Sequence, residues 1–144
     1  MKLKKKISLS SPNLLGNEKK YLNKCIDTTM VSSVGNYVNI FEEKLKKFTN
    51  AKNAICCNSG TSSIHLGLRL LEVTSEDEVL VPTMSFIATA NAVKYLNANP
   101  IFLDCDNFYN LDIEKTLKFI KNETYFKNGF TFNKKTKKKI KVLI

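Results

Sequence analysis

The sequence predicts an α/β fold, a mostly parallel sheet flanked by helices, on two observations. Short apolar strands alternate with helical periods through the middle of the chain, and those strands are apolar at successive positions, so both their faces need cover. The 144 residues suffice for one ordinary domain, or part of one, and are short for a two-domain metabolic enzyme.

The elements follow in order. Ser11-Pro12-Asn13 and Gly16-Asn17 are turn chemistry, and Asn17 is placed to cap a helix carrying Tyr21, Leu22, Cys25 and Ile26 on one face and ending near Thr28. Met30-Val-Ser-Ser-Val-Gly35 has no helical period and reads as an extended loop. A second helix sets Val38, Phe41, Leu45 and Phe48 at spacings of three and four as a core face, with Glu42, Glu43, Lys44, Lys46 and Lys47 opposite. Ala54-Ile-Cys-Cys57 reads as a short strand and Ser59-Gly-Thr-Ser-Ser63 as a turn, followed by a helix whose inward face is Ile64, Leu68 and Leu71. Glu78–Pro82 is the next strand. A helix through Ile87, Ala90, Val93 and Leu96, a strand Pro100–Asp104 and a helix from Asp112 through Ile113, Leu117 and Ile120 complete the alternation. Asn128–Lys139 is polar enough for a hairpin or loose loop, and Lys139–Ile144 reads as a buried strand beginning. A domain does not normally stop with its backbone committed to a central sheet, so the chain reads as truncated.

The formal charge of +10 sits at the ends: Lys2, Lys4, Lys5, Lys6 and Lys134, Lys135, Lys137, Lys138, Lys139, Lys141 make up ten of the 23 basic residues, and the other 13 balance 13 acids. A nucleic-acid binder would spread its cations over one face with aromatics between them, so both runs read as a solvated tail or turn and no nucleic-acid partner is expected. Cys25, Cys56, Cys57 and Cys105 form no CxxC pair and read as small buried thiols in a reducing compartment. With His65 the sole histidine, no metal site is expected, although one Ser/His/Asp triad remains arithmetically open. No apolar stretch approaches the roughly 18 residues that span a bilayer. The start lacks the long apolar segment of a secretion signal, and the protein reads as cytoplasmic, with no membrane partner.

In such sheets ligands gather where strands end and helices begin, because first-turn N–H groups lack partners and the helix dipole favours an anion. Gly60 lets the backbone approach a phosphate, and the Thr61 and Ser62 hydroxyls and amides can donate to it. An ordinary serine N-cap explains the same residues. At the second junction, Pro82-Thr-Met-Ser-Phe86, an aromatic could stack on a planar ligand, though Phe86 at such a place is more often core. Asp104 and Asp106 could hold a metal or a sugar hydroxyl; capping the next turn is the commoner role, as Asn110 and Asp112 would do for the next helix.

Three stretches, Val31-Ser-Ser-Val-Gly-Asn-Tyr-Val38, Asn58-Ser-Gly-Thr-Ser-Ser-Ile-His-Leu66 and Val81-Pro-Thr-Met-Ser-Phe-Ile-Ala-Thr-Ala-Asn-Ala92, together with Pro100-Ile-Phe-Leu-Asp104, resemble in wording and order the DegT/DnrJ/EryC1/StrS aminotransferases. The opening segment is most similar to the branch acting on nucleotide-linked 4-keto-6-deoxy sugars for surface glycans, including legionaminic-type pathways. The resemblance implies the N-terminal part of a fold-type I large domain that binds pyridoxal 5'-phosphate (PLP), usually in a homodimer. It divides the chain into an N-terminal helix and active-site loop, residues 1–35, and a partial PLP-binding domain, residues 36–144. Gly60, Thr61 and Ser62 match the family's phosphate turn, Phe86 the aromatic against the pyridine ring, and Ser32, Ser33 and Gly35 a loop near the active site, where Met30 replaces a common aromatic.

The family's chemistry needs a lysine to hold the cofactor aldehyde and an acid to keep the pyridine nitrogen protonated. None of the chain's lysines stands in the matching context, so no catalytic residue is carried over. The whole enzyme is expected to transfer an amino group, with glutamate as donor, to a nucleotide-linked keto-sugar, and this chain alone to be inactive. A sheet without its later strands would leave apolar faces and an edge exposed. The alternatives are a non-catalytic module holding a phosphorylated ligand at Ser59–Ser63, and a PLP-dependent sugar dehydratase, which differs at the lysine position.

Overall fold

Asn17 precedes helix α1 (Glu18–Asp27) but makes no side-chain capping bond; the acid of Glu18 in the first turn complements the helix dipole instead. The computed structural model describes residues 10–144, so the Lys2–Lys6 run lies outside the described residues. Helix α2 (Asn36–Thr49) stops where Asn50 turns left-handed at φ 54° and the Ala51 amide closes onto the Lys46 carbonyl. Tyr21 and Tyr37 bring the two helices together, ring centroids 5.1 Å apart. The expected core face of α2 is present in sequence but uncovered: no residue of α1 or α2 is buried, and Phe41 and Phe48 are exposed.

Ala54–Cys57 does not form the expected strand. Four residues are a marginal strand without a neighbour, and the Cys56 amide donates to Glu42 Oε1 at 2.8 Å rather than to a ladder. The cysteines are half-buried rather than buried, and none is disulfide-bonded. The chain divides into two compact units, one through Cys56 and the other Cys57–Ile144.

The second unit contains the sheet. Helix α3 (Gly60–Leu70) buries Leu68 and lays Ile64 on the core, whereas Leu71, the residue after its last turn, points outward. Strand β1 (Asp77–Pro82) is buried from Asp77 through Val81 and pairs in parallel with β2 (Asn99–Leu103). Between them lies α4 (Ile87–Lys94), with Thr89, Ala90, Ala92 and Val93 buried. Helix α5 (Ile113–Glu123) is capped by Asp112, whose Oδ1 accepts the Lys115 amide at 2.9 Å, as its sequence suggests. Strands β3 (Thr124–Lys127) and β4 (Phe130–Asn133) form a hairpin over Asn128-Gly129, both at positive φ, the turn that this dipeptide favours. Strand β5 (Lys139–Leu143) pairs in parallel with β1 and antiparallel with β4. The order is β2-β1-β5-β4-β3, a mixed sheet whose parallel part is β2-β1-β5 and whose central strand is β5. Val79, Val81, Leu68, Val73, Ala92, Val93 and Ala98 make the core.

Lys134 and Lys135 of the second lysine run stand exposed in a turn, as the sequence suggests, and several of the run's ammonium groups also find partners. Lys134 Nζ donates to the Asn122 carbonyl at 2.6 Å, Lys138 Nζ to the Ser75 carbonyl at 3.0 Å and Lys141 Nζ to the Glu72 carbonyl at 3.4 Å. Lys139 pairs with Asp77 at 3.3 Å and lies over the Phe130 ring, while Lys137 lies over Tyr125. Lys138 and Lys141 tie β5 and the turn before it to the loop ahead of β1, and Lys134 ties that turn to the last turn of α5.

Asp77 is 2% exposed. Burial pushes its carboxyl up, but the Thr74 amide and hydroxyl and the Lys139 ammonium outweigh burial and hold it below the usual carboxylate range. A depressed folded value contributes stability that is present above the unfolded value of about 3.9 and is lost as pH falls through the folded one. Thermal melts are therefore expected to be flat above about pH 5 on Asp77's account and to drop below about pH 4, with Asp77→Asn removing this component and lowering stability at neutral pH. An unchanged acid limb in the variant would count against that role.

Candidate functional site

The short turns Leu71–Glu76 and Thr83–Phe86 reverse the chain on either side of β1, so α3 and α4 both run against that strand. Both helix N-termini therefore lie at its C-terminal end, where α/β sheets place their ligands. The two helices pack on one another, and His65 of α3 meets the ring of Tyr95, just past α4, edge-on at 5.8 Å. The only histidine is thus a half-buried packing residue between the two helices that carry the junctions.

At the first junction Ser59 is an extended N-cap whose Oγ accepts the Ser62 amide at 3.1 Å and lies 3.0 Å from Ser62 Oγ. The Ser63 hydroxyl and amide both donate to the Ser59 carbonyl. If the Ser59 hydroxyl donates to Ser62 Oγ, the Ser62 hydroxyl proton is left to point outward. The turn is thus divided between groups that cap the helix and groups that stay open. Ser59, Ser62 and Ser63 close the cap, while the Gly60 and Thr61 amides and the half-buried Thr61 hydroxyl have no acceptor among the described residues. Nothing lies within 4 Å of where a Gly60 Cβ would stand. Open space over adjacent unpaired donors at a positive helix end suits a phosphate ester.

The second junction is tied down at both ends. The Thr83 amide and hydroxyl both donate to the Leu103 carbonyl of β2, at 2.8 and 2.7 Å. Ser85 Oγ lies 3.0 Å from Thr89 Oγ1, and the Thr89 amide donates to the Phe86 carbonyl at 3.1 Å. Phe86, the N-cap of α4, is 89% exposed, so it is not a core residue of this unit.

Asp104 and Asp106 serve the turn after β2. The Lys115 ammonium beside Asp104, with the Cys105 amide, holds the Asp104 carboxyl below its usual range and is itself pushed up by that carboxylate. Asp106 Oδ1 accepts the Phe108 and Asn110 amides at 2.8 and 3.0 Å. In the first unit Ser32 Oγ accepts the Val34 amide at 3.4 Å, and Gly35 is the extended N-cap of α2. Glu78 was not legible as important: it is 1% exposed in β1 and accepts from Asn133 Nδ2 of β4 at 2.9 Å, reaching past β5. Among the described residues no helix is long and apolar enough to cross a membrane.

Comparison with known proteins bears on the family of the chain. The profile described as the DegT/DnrJ/EryC1/StrS aminotransferase family matches residues 12–128. The chain is 45% identical over 103 residues to the GDP-perosamine synthase of Escherichia coli O157:H7, covering 72% of this chain and 28% of that protein. An aminotransferase structure of the same family from Brucella abortus superposes with a TM-score of 0.72 at 25% identity, over 87% of this chain and 31% of that one. The E. coli GDP-4-keto-6-deoxy-D-mannose-3-dehydratase with bound hydrated PLP superposes with a TM-score of 0.67 at 27% identity, over 81% and 31%. The chain thus spans less than a third of the length of these relatives.

Proposed function

The chain belongs to the DegT/DnrJ/EryC1/StrS aminotransferase family, and from that premise we propose that it is the cofactor-cradling part of an enzyme that moves an amino group onto a nucleotide-linked keto-sugar through PLP. The observation that carries the reading is the set of unpaired donors at Gly60 and Thr61, opening a helix packed against the one that Phe86 begins. The Gly60 and Thr61 amides and the Thr61 and Ser62 hydroxyls bind the cofactor phosphate, and the dipole of α3 offsets its charge. Phe86 lies against the pyridine ring, covering one face and keeping water from it. Ser32, Ser33 and Gly35 belong to a loop beside the sugar, and residues 36–144 to the cofactor-binding large domain.

When bound, PLP would supply an aldehyde carbon to carry the amino group and an electron-accepting ring. The lysine that holds its aldehyde and the acid on its pyridine nitrogen are supplied from outside these 144 residues, which by themselves turn nothing over. The donor is glutamate, the acceptor a nucleotide-linked 4-keto-6-deoxy sugar for surface-glycan assembly, the working form a cytoplasmic homodimer. Similarity to a dehydratase structure favours one second reading, removal of a sugar hydroxyl with the same cofactor.

A mass-spectrometric assay of the full-length protein with PLP, glutamate and a nucleotide-linked 4-keto-6-deoxy sugar tests both. The expected product is the amino sugar, with 2-oxoglutarate in equal amount. A deoxygenated keto-sugar would establish the dehydratase reading, and absence of both products would remove the reading altogether.

A further inference from the structure

The exposed ring of Phe86 has almost no packing to hold it, so the backbone of its own residue, which fixes the Cα–Cβ bond and limits the rotamers open to the ring, is the main restraint on it. That backbone is fastened on one side by the two Thr83 bonds to the Leu103 carbonyl. On the other side the fastening is Thr89, only 8% exposed, whose amide holds the Phe86 carbonyl and whose hydroxyl meets Ser85 Oγ at 3.0 Å. A helix start needs only the amide bond; the hydroxyl pair is additional, and it ties the residue before the aromatic to the helix after it. A valine has the same branched shape but lacks the hydroxyl, so shape alone does not account for the threonine there.

We propose that the Thr89 hydroxyl is a positioning group for Phe86, locking the Ser85–Phe86 backbone so that the ring stands ready to cover a planar ligand. The inference rests on the proposed role of Phe86 as the face of the cofactor site. Without the lock the ring samples several directions, and each bound ligand must restrict it anew, which weakens binding. The phosphate turn at Gly60–Ser62 has its own cap and does not depend on the lock.

The test uses the full-length protein and deoxypyridoxine phosphate, the cofactor with its aldehyde replaced by methyl, so that only phosphate and ring contacts are read. Affinity, circular dichroism per bound molecule and competition by inorganic phosphate are measured for Thr89→Val, Thr89→Ser and Phe86→Ala. Thr89→Val is expected to bind the analogue about fivefold more weakly, with reduced dichroism per bound molecule and unchanged phosphate affinity, and Thr89→Ser to restore both. Wild-type behaviour of Thr89→Val beside a weakened Phe86→Ala overturns the positioning role alone. Parallel loss of phosphate affinity in Thr89→Val, showing general damage to the helix, overturns it too. If Phe86→Ala itself binds with wild-type affinity and dichroism, the assignment of Phe86 to the ring fails, and the inference with it.

Discussion

Gly60→Asp is expected to abolish cofactor capture while leaving the second unit as stable as before, or slightly more stable. A Cβ at Gly60 meets nothing within 4 Å, and an acid in the first turn of α3 interacts favourably with the helix dipole, by about 0.3–1 kcal/mol. The same carboxylate stands where the proposed phosphate would sit, replacing an anion-binding end with an anion. Two like charges there and the loss of open space are expected to lower affinity for PLP or its aldehyde-free analogue by at least about a hundredfold. Melting temperature and affinity should therefore move in opposite directions or diverge. A variant with unchanged affinity places the phosphate elsewhere; one that loses stability and affinity together shows that Gly60 serves the fold.

The second large effect concerns stability. Glu78 and Asn133 are 1% and 6% exposed, and the Asn133 amide is the hydrogen-bond donor given to that carboxylate. Asn133 also closes the turn after β4, accepting the Lys135 and Lys137 amides and donating its own to the Lys138 carbonyl. Asn133→Leu strands a buried carboxylate and is expected to cost about 3–5 kcal/mol in denaturant unfolding. Replacing Glu78 with methionine at the same time removes the uncompensated charge and should recover part of that loss, leaving the cost of the broken turn. Strict additivity of the two substitutions would show that the contact contributes nothing across the sheet.

Much of the fold was legible in the residues. Among the described residues the five helices begin and end within a few residues of their expected positions, because caps, first-turn acids and apolar spacing act over three or four residues. Asp112 capping α5 is one case, and the turn at Asn128-Gly129 is equally local, though it was read only as part of a hairpin or loose loop. The two strand-to-helix junctions were visible for the same reason: a serine-rich turn and an aromatic helix start are short strings. Which of the turn's donors remain unpaired was not visible, since Ser62 could have spent its amide outward rather than on Ser59.

Errors collect where an element depends on distant partners. Ala54–Cys57 has strand composition but no neighbouring strand among the described residues, and a lone strand gains no ladder. The apolar faces of α1 and α2 have the right period, yet period says that a face can be covered, not that it is. The C-terminal lysines look solvated because charge is usually solvated, but Lys138 and Lys141 find carbonyls 63 and 69 residues away. The helices, the turns and the residue types at the two junctions were readable in the residues because they rest on interactions between near neighbours. The central place of β5 in a mixed sheet, the burial of Glu78 against Asn133 across 55 residues and the exposure of Phe86 emerge only in the folded chain. Those outcomes depend on which distant segments meet, and the loop-closure entropy of such meetings is balanced by burial and pairing over the whole unit rather than by any local pattern.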